Sequence, residues 1–338
     1  MQWLGLDIGG ANLKVANGLG YADSRPFALW RDPGLLTQQL RTIMAQAPPA
    51  SHLAVTMTGE LADCFESKAA GVRFILDALV KAADGRHTRV YLSTGQMVTP
   101  QVAMRRPDDV AAANWHALAA YLVRLTGEGL SLVIDVGSTT TDLIPIVGGQ
   151  IVAQGTDDTT RLLAGELIYL GVERTPICGL AEELPYRGQS CPVANEFFAT
   201  ARDAFLILND LPEDPTSNET ADGSAATKPR ARARLGRMLC ADSATFNHRD
   251  AVSLAQAVSA AMSDRLVTGI KQIISRHSLD LETAILSGGG EFLARSALKK
   301  IGQPPKKTIS LSREYDNGLS RCGPAHAVAV LAREAASR

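Results

Sequence analysis

The chain has 338 residues, is 46% hydrophobic and 20% charged, and sets 34 Lys and Arg against 35 Asp and Glu, a formal charge of −1. A length above the usual single-domain size predicts two lobes, and the balanced charge excludes a bulk field steering the chain onto nucleic acid or an anionic membrane. No apolar run nears the roughly 20 residues that span a bilayer, and the start Met-Gln-Trp-Leu-Gly-Leu-Asp lacks the basic-then-apolar order of a signal peptide. The cytoplasm is the expected compartment. Cys64, Cys178, Cys191, Cys240 and Cys322 are widely spaced and form no CxxC pair, which argues for reduced thiols rather than structural zinc or disulfides.

In chain order, Trp3 to Ile8 reads as a buried strand, with further strands at Leu13 to Asn17 and Arg25 to Trp30. Leu35, Leu36, Leu40, Ile43, Met44 and Ala47 recur at helical spacing until Pro48-Pro49 stops them. A strand at Leu53 to Met57, a helix striped by Val72, Ile75, Leu76, Leu79 and Val80, and a strand at Val90 to Leu92 follow. An Ala-rich helix over 110–125 closes the first half. Leu130 to Val136 opens the second half as the first strand opened the first, and Gly148-Gly149 reads as a tight hairpin between Leu143 to Val147 and Ile151 to Gln154. Helices are expected over 161–170, 195–208, 291–300 and 324–336, with strands at Ala284 to Leu286 and Ile309 to Leu311. Residues 209–237 turn to Pro, Asp, Glu, Ser, Thr, Ala and Arg, a composition that reads as a mobile surface insertion. Its Arg230, Arg232, Arg234 and Arg237 have no interleaved aromatics, so they read as a solvated charge run rather than an RNA contact.

Three glycine turns carry the chemistry: Asp7-Ile-Gly-Gly-Ala-Asn-Leu-Lys14, Asp135-Val-Gly-Ser-Thr-Thr-Thr-Asp142 and Ser287-Gly-Gly-Gly-Glu291. Glycine lets backbone amides approach an anion closely, and hydroxyls add neutral donors. An Asp at a strand end can hold a hydrated Mg²⁺ against phosphate oxygens, and the helix after Gly290 offers its N-terminus. A fourth motif, Thr56-Met-Thr-Gly-Glu-Leu-Ala-Asp-Cys-Phe65 with Lys68, brings Glu60 and Asp63 to a strand end. It reads either as a helix N-terminus capped by Thr58 or as a substrate-facing loop. Between 157 and 178, Arg161, Glu166, Tyr169 and Arg174 are candidate ligand contacts.

Together the three turns resemble the two phosphate loops and the adenosine-side glycine motif of the sugar kinase, actin and Hsp70 superfamily. The resemblance implies an α/β fold of two actin-like lobes, each built on a duplicated mixed β-sheet. Residues 1–128 would form the N-terminal lobe with the acidic loop 56–68. Residues 129–338 would form the C-terminal lobe with the glycine motif 287–291 and the insertion 209–237. It places Asp7, Gly9, Gly10, Asn12, Lys14, Gly137, Ser138, Thr139, Thr140, Thr141, Asp142, Gly288, Gly289 and Gly290 around a polyanion, with Mg²⁺ at Asp7 and Asp135.

The acidic loop, with Trp-Leu-Gly-Leu-Asp-Ile-Gly-Gly-Ala-Asn-Leu-Lys and the run Asp-Asp-Thr-Thr-Arg-Leu-Leu-Ala-Gly-Glu-Leu-Ile-Tyr-Leu-Gly-Val-Glu-Arg-Thr-Pro-Ile-Cys, narrows the resemblance. It resembles the hydantoinase/oxoprolinase-like family of the tetrahydromethanopterin-linked one-carbon pathway, whose archaeal members are similar to methanofuran synthases. That likeness implies a transferase that displaces diphosphate from (aminomethyl)furanylmethyl diphosphate with the phenol of γ-glutamyl-tyramine, giving an aryl ether. Lys14 would offset charge on the departing diphosphate; Glu60 and Asp63 would take the phenol proton, with Glu166 in reserve. An ATP-dependent kinase or amidohydrolase of the same fold, or a non-catalytic nucleotide switch, are the alternatives, so ATP stays an alternative ligand. The expected partners are small-molecule diphosphate and phenol substrates, with no nucleic acid and no membrane; a homodimer stays open.

Overall fold

The computed structural model describes residues 1–337. Trp3–Gly9 (β1), Asn12–Ala16 (β2), Ala22–Pro26 (β3), His52–Thr58 (β4), His87–Tyr91 (β5) and Met97–Val98 (β6) form a sheet ordered β3-β2-β1-β4-β5-β6. β1, β2 and β3 are antiparallel neighbours, and β1, β4 and β5 run parallel. Strands with helices on both faces need apolar residues in both phases of the pleat, which is why Trp-Leu-Gly-Leu-Asp-Ile shows no alternation. Leu4, Leu6 and Ile8 pack with Leu36, Leu40, Ile43, Val72 and Ile75 from the helices Leu36–Gln46 and Lys68–Ala83. On the other face Trp3, Ala54 and Tyr91 meet Ala113, Ala117, Val328 and Ala332.

Leu130–Val136 (β7), Thr141–Val147 (β8), Gln150–Ile151 (β9) and Leu167–Ile168 (β10) precede a small separate hairpin, Glu183–Tyr186 (β11) with Gln189–Pro192 (β12). Leu281–Ser287 (β13) and Lys307–Ser310 (β14) complete a second sheet ordered β10-β8-β7-β13-β14, with β9 on β8. Both sheets repeat one plan: an antiparallel hairpin, β1–β2 or β7–β8, whose first strand also pairs in parallel with a later strand. The two sheets therefore divide near residue 129. The C-terminal helix Gly323–Ala336 packs on β1 and β4 of the first sheet, so the last elements of the chain tie the lobes together.

Several expected elements shift for local reasons. The helix over 110–125 breaks into Pro107–Val110 and Asn114–Leu122, because Ala112 sits in the left-handed region at φ 48°. The helix over 161–170 starts earlier at Asp158, where Asp157 forms a capping box with Thr160, and ends at left-handed Gly165. Its expected last turn instead forms β10 against β8. The helix over 195–208 begins at Ala201 behind the capping box of Thr200 and Asp203. The third strand ends at Pro26, which releases Trp30 from the sheet. A helix of 30 residues, His248–His277, crosses the second lobe, where no element was expected.

Residues 209–237 correct the expectation of a mobile polar insertion. They contain the helix Lys228–Arg237, and Leu211, Ala226, Ala231 and Leu235 join the main core of the second lobe. Arg234, expected in solvent, is fully buried and donates to Asp203 Oδ1 at 2.9 and 2.7 Å.

Candidate active site

The turn Gly10–Ala11 joins β1 to β2, and the turn Gly137–Thr140 joins β7 to β8, so both lie at the ends of the two duplicated hairpins. Both line one cleft of about 470 Å³ between the lobes. Asn12 Nδ2 donates across it to Ser138 Oγ at 3.3 Å. The cleft side of the second turn is shaped from behind: Glu173 N and Arg174 N donate to Ser138 O at 3.0 and 2.9 Å, and Val172 N to Gly137 O at 3.0 Å. Gly171 lets that segment approach, because a Cβ there would strike the backbone of Ser138 and Thr139. The amides of Gly10, Ala11, Ser138, Thr139 and Thr140 donate no hydrogen bond among the described residues. Unpaired amides from two facing turns are what an anion cradle requires.

The floor is acidic. Asp7 faces Lys14 across the β1–β2 register, with Lys14 Nζ 3.5 Å from Asp7 Oδ2. At the equivalent place in the second lobe, Asp135 faces Asp142 instead. Burial pushes the Asp135 carboxyl up to about 6, and the Asp142 charge adds to the rise while Lys14 opposes it. Burial likewise raises Asp7, whose Oδ1 is buried with no partner. Burial would lower Lys14, yet Asp7 and Asp135 hold it above its usual value. Around the cleft stand Asp7, Asp63, Asp135, Asp142 and Asp158 against Lys14, Lys68, Arg161 and Arg174. Besides Lys14, two of those cations are committed: Arg161 Nη1 is 2.6 Å from Asp142, and Lys68 bridges the lobes to Asp158 at 3.6 Å.

A polyanion entering such a floor needs added positive charge. The orphaned Asp7 oxygen and the raised Asp135 fit a hard divalent cation with oxygen ligands. Among the described residues no three His, Cys, Asp or Glu side chains come together to chelate a metal by themselves. Magnesium at Asp7 and Asp135 would therefore keep water and phosphate as its remaining ligands, as this ion commonly does.

Not every expected residue reaches the cleft. Thr141 is buried, and its hydroxyl donates to Leu170 O at 2.7 Å, so it fixes the turn rather than a ligand. Gly288, Gly289 and Gly290 do not line the cavity. Gly288 lies at φ 89° against the Val136 carbonyl, and Gly290 packs between Val136 and Val172; these glycines brace the second turn from below. Glu166 is fully buried: its carboxylate accepts from Gln154 N at 2.8 Å and Gly155 N at 3.0 Å, and pairs with Arg276 at 3.0 Å. Its carbonyl accepts from Arg161 Nη2 at 3.0 Å, which orients the arginine that holds Asp142. Glu166 is a structural post, not a base in reserve.

The acidic loop splits the same way. Asp63 is exposed and lines the cleft. Glu60 is buried one layer behind, with Oε2 unpartnered, and burial pushes its carboxyl up to about 7. A carboxyl whose folded pKa is raised contributes stability below its unfolded pKa and loses it as pH rises through the folded value. We expect wild-type stability to fall between pH 4.5 and pH 7 by up to about 3 kcal/mol from Glu60 alone. In Glu60→Gln this part of the slope disappears, so the variant is the more stable protein at pH 8; urea titrations at pH 5 and pH 8 read it directly.

Trp30 and Asn114 line the cleft without having been expected there, whereas Arg161, Tyr169 and Arg174 were. Trp30 is placed by Leu29 N donating to Gly10 O at 3.0 Å, a tertiary contact that no local pattern announces. Arg161 lies 4.1 Å over the Trp115 ring, and Arg174 4.3 Å over the Trp30 ring.

Two lobes of like topology, each presenting a glycine turn to one shared cleft, define a protein of the actin-like, two-lobed class. Residues 52–326 match the hydantoinase/oxoprolinase family, and the chain belongs to that family. A relative from Methanocaldococcus jannaschii, named (4-{4-[2-(gamma-L-glutamylamino)ethyl]phenoxymethyl}furan-2-yl)methanamine synthase, is 32% identical over 97% of this chain and 96% of its own. A protein of the same name from Methanococcus vannielii is 29% identical over 59% of this chain and 89% of its own. Nucleotide-free acetone carboxylase shares the fold at a TM-score of 0.56 and 11% identity, covering 96% of this chain and 70% of that one. The two synthase relatives support a biosynthetic enzyme. Among the described residues no helix is long and apolar enough to cross a membrane.

Proposed function

We propose that this chain is a methanofuran-type synthase, an aryl-methyl transferase that joins (aminomethyl)furanylmethyl diphosphate to the phenol of γ-glutamyl-tyramine. The observation that carries the reading is the pair of glycine turns whose unpaired amides line one cleft, in a chain alike over 97% of its length to a protein named for that ether.

The phenol oxygen forms a bond to the furfuryl CH₂ while the bond from that carbon to diphosphate breaks, its electron pair leaving with the diphosphate. The furan oxygen delocalises positive charge at the carbon, so departure of the leaving group runs ahead of attack. The amides of Gly10, Ala11, Ser138, Thr139 and Thr140 bind the diphosphate oxygens, and Lys14 offsets the charge that grows on them. Magnesium held at Asp7 and Asp135, when bound, supplies further neutralising charge. The phenol proton, from a group of reference pKa about 10, leaves late and passes to Asp63, the member of the acidic loop that faces the cleft.

Incubation of the protein with Mg²⁺, the furan diphosphate and γ-glutamyl-tyramine is expected to release ether and diphosphate in equal amounts, read by mass spectrometry and a diphosphate assay. Folded protein that makes no ether, or that releases ADP steadily from ATP without either substrate, overturns the proposal.

A further inference from the structure

The floor of the cleft accounts for a diphosphate but leaves its mouth unexplained. There, Leu61 from the first lobe and Leu162 and Tyr169 from the second are 59%, 47% and 67% exposed, and all three line the cavity. Large apolar side chains left open on both walls of a cleft are positions that a flat apolar group would cover. Lining the same cavity, Arg174 reaches from the second lobe to stack over Trp30 of the first, 4.3 Å from the ring centroid. Among the described residues no carboxylate pairs with Arg174, in contrast to Arg161 and Lys68 on the same walls.

Stacking engages the face of a guanidinium and leaves its in-plane donors free, and that planar fork matches a carboxylate with two parallel hydrogen bonds. The indole fixes the fork in place, so little ordering is left for the ligand to impose. The backbone of Arg174 is pinned as well, through its amide to Ser138 O at 2.9 Å. The diphosphate already has the turn amides and Lys14. A second anion, arriving beside the carboxylates of the floor, needs a cation of its own.

We propose that Arg174 on Trp30 is the acceptor's recognition site: it binds the α-carboxylate of the γ-glutamyl group while Leu61, Leu162 and Tyr169 hold the aryl ring. The proposal rests on the reading of the acceptor as γ-glutamyl-tyramine. It makes the glutamyl tail, not the phenol, the part by which the enzyme selects its acceptor.

The test is calorimetric titration of γ-glutamyl-tyramine and of tyramine into the full chain saturated with inorganic diphosphate and Mg²⁺. Wild type is expected to bind the glutamyl compound roughly 10- to 100-fold more tightly, as a charged hydrogen-bond pair supplies. Arg174→Gln is expected to erase that preference, and Arg174→Lys, which keeps the charge without the fork, to restore only part of it. Equal affinity for both ligands in wild type, or a preference that survives in Arg174→Gln, overturns the proposal. So does failure of γ-glutamyl-tyramine to bind. Should the Arg174-dependent preference hold while no ether forms from the furan diphosphate, the subsite stands and the synthase reading fails. Should ether form with an unchanged KM for γ-glutamyl-tyramine in Arg174→Gln, the synthase stands and the subsite fails.

Discussion

Asp135→Asn is expected to lower ether formation by roughly 100-fold or more while leaving the protein at least as stable as wild type at pH 8. The two effects have one cause. Asp135 faces Asp142 across the β7–β8 register, and burial together with that neighbouring charge pushes it up to about 6. Because the folded pKa is raised, the carboxyl contributes stability below its unfolded pKa and loses it as pH rises through about 6. At pH 8 the ionised group therefore opposes folding, by something on the order of 1–3 kcal/mol. Asparagine keeps the shape of the side chain that packs against Gly288, where a Cβ would strike Asp135 Oδ1, and removes the charge. The same charge is what would draw a divalent cation to the leaving diphosphate. Activity and stability should thus move in opposite directions, whereas a residue of purely structural value would lose both. Rates with Mg²⁺ and thermal melts at pH 8 decide it; activity within threefold of wild type removes Asp135 from the reacting site.

Such a carboxylate was legible in the chain because everything that places it is local: an apolar strand, an Asp at its end, and glycines at once after it, twice over. The duplicated sheets followed from the same strings. What the sequence hid was set by contacts distant along the chain. Glu166 carries the same charge as a catalytic carboxylate, and only the folded chain brings Arg276 to it across 110 positions. Glu60 and Asp63 stand three positions apart on one turn, yet one faces the cleft and the other lies behind it. The glycines at 288 and 290 obey close packing against Val136, a demand that mimics a ligand loop in sequence. The helix His248–His277 is a different case. Its buried Ala251, Leu254, Ala255, Val258, Met262, Leu266, Ile270 and Ile273 do keep helical spacing, but small and polar residues between them dilute the stripe.

Arg234→Met is expected to destabilise the protein by about 3–5 kcal/mol, an effect that the composition of residues 209–237 would never suggest. Arg234 is fully buried, its Nε and Nη2 donating to Asp203 Oδ1, its Nη1 to Asp222 Oδ1 at 3.0 Å and Ser224 Oγ at 2.9 Å. Asp203 is itself buried and caps the helix Ala201–Leu208, accepting from Thr200 N at 3.1 Å. Removing the guanidinium strands that carboxylate in the core of the second lobe, and an uncompensated buried charge costs far more than the lost pair was worth. Asp203→Asn in the same chain keeps an acceptor for Thr200 N without the charge, so the double variant should recover much of the loss. Deleting residues 212–229 removes Asp222, Ser224 and the buried Ala226 together and should be at least as damaging as Arg234→Met. Urea unfolding of the variants measures all three. A single-variant loss below about 1 kcal/mol would mean that the segment docks loosely, as its polar composition alone implies.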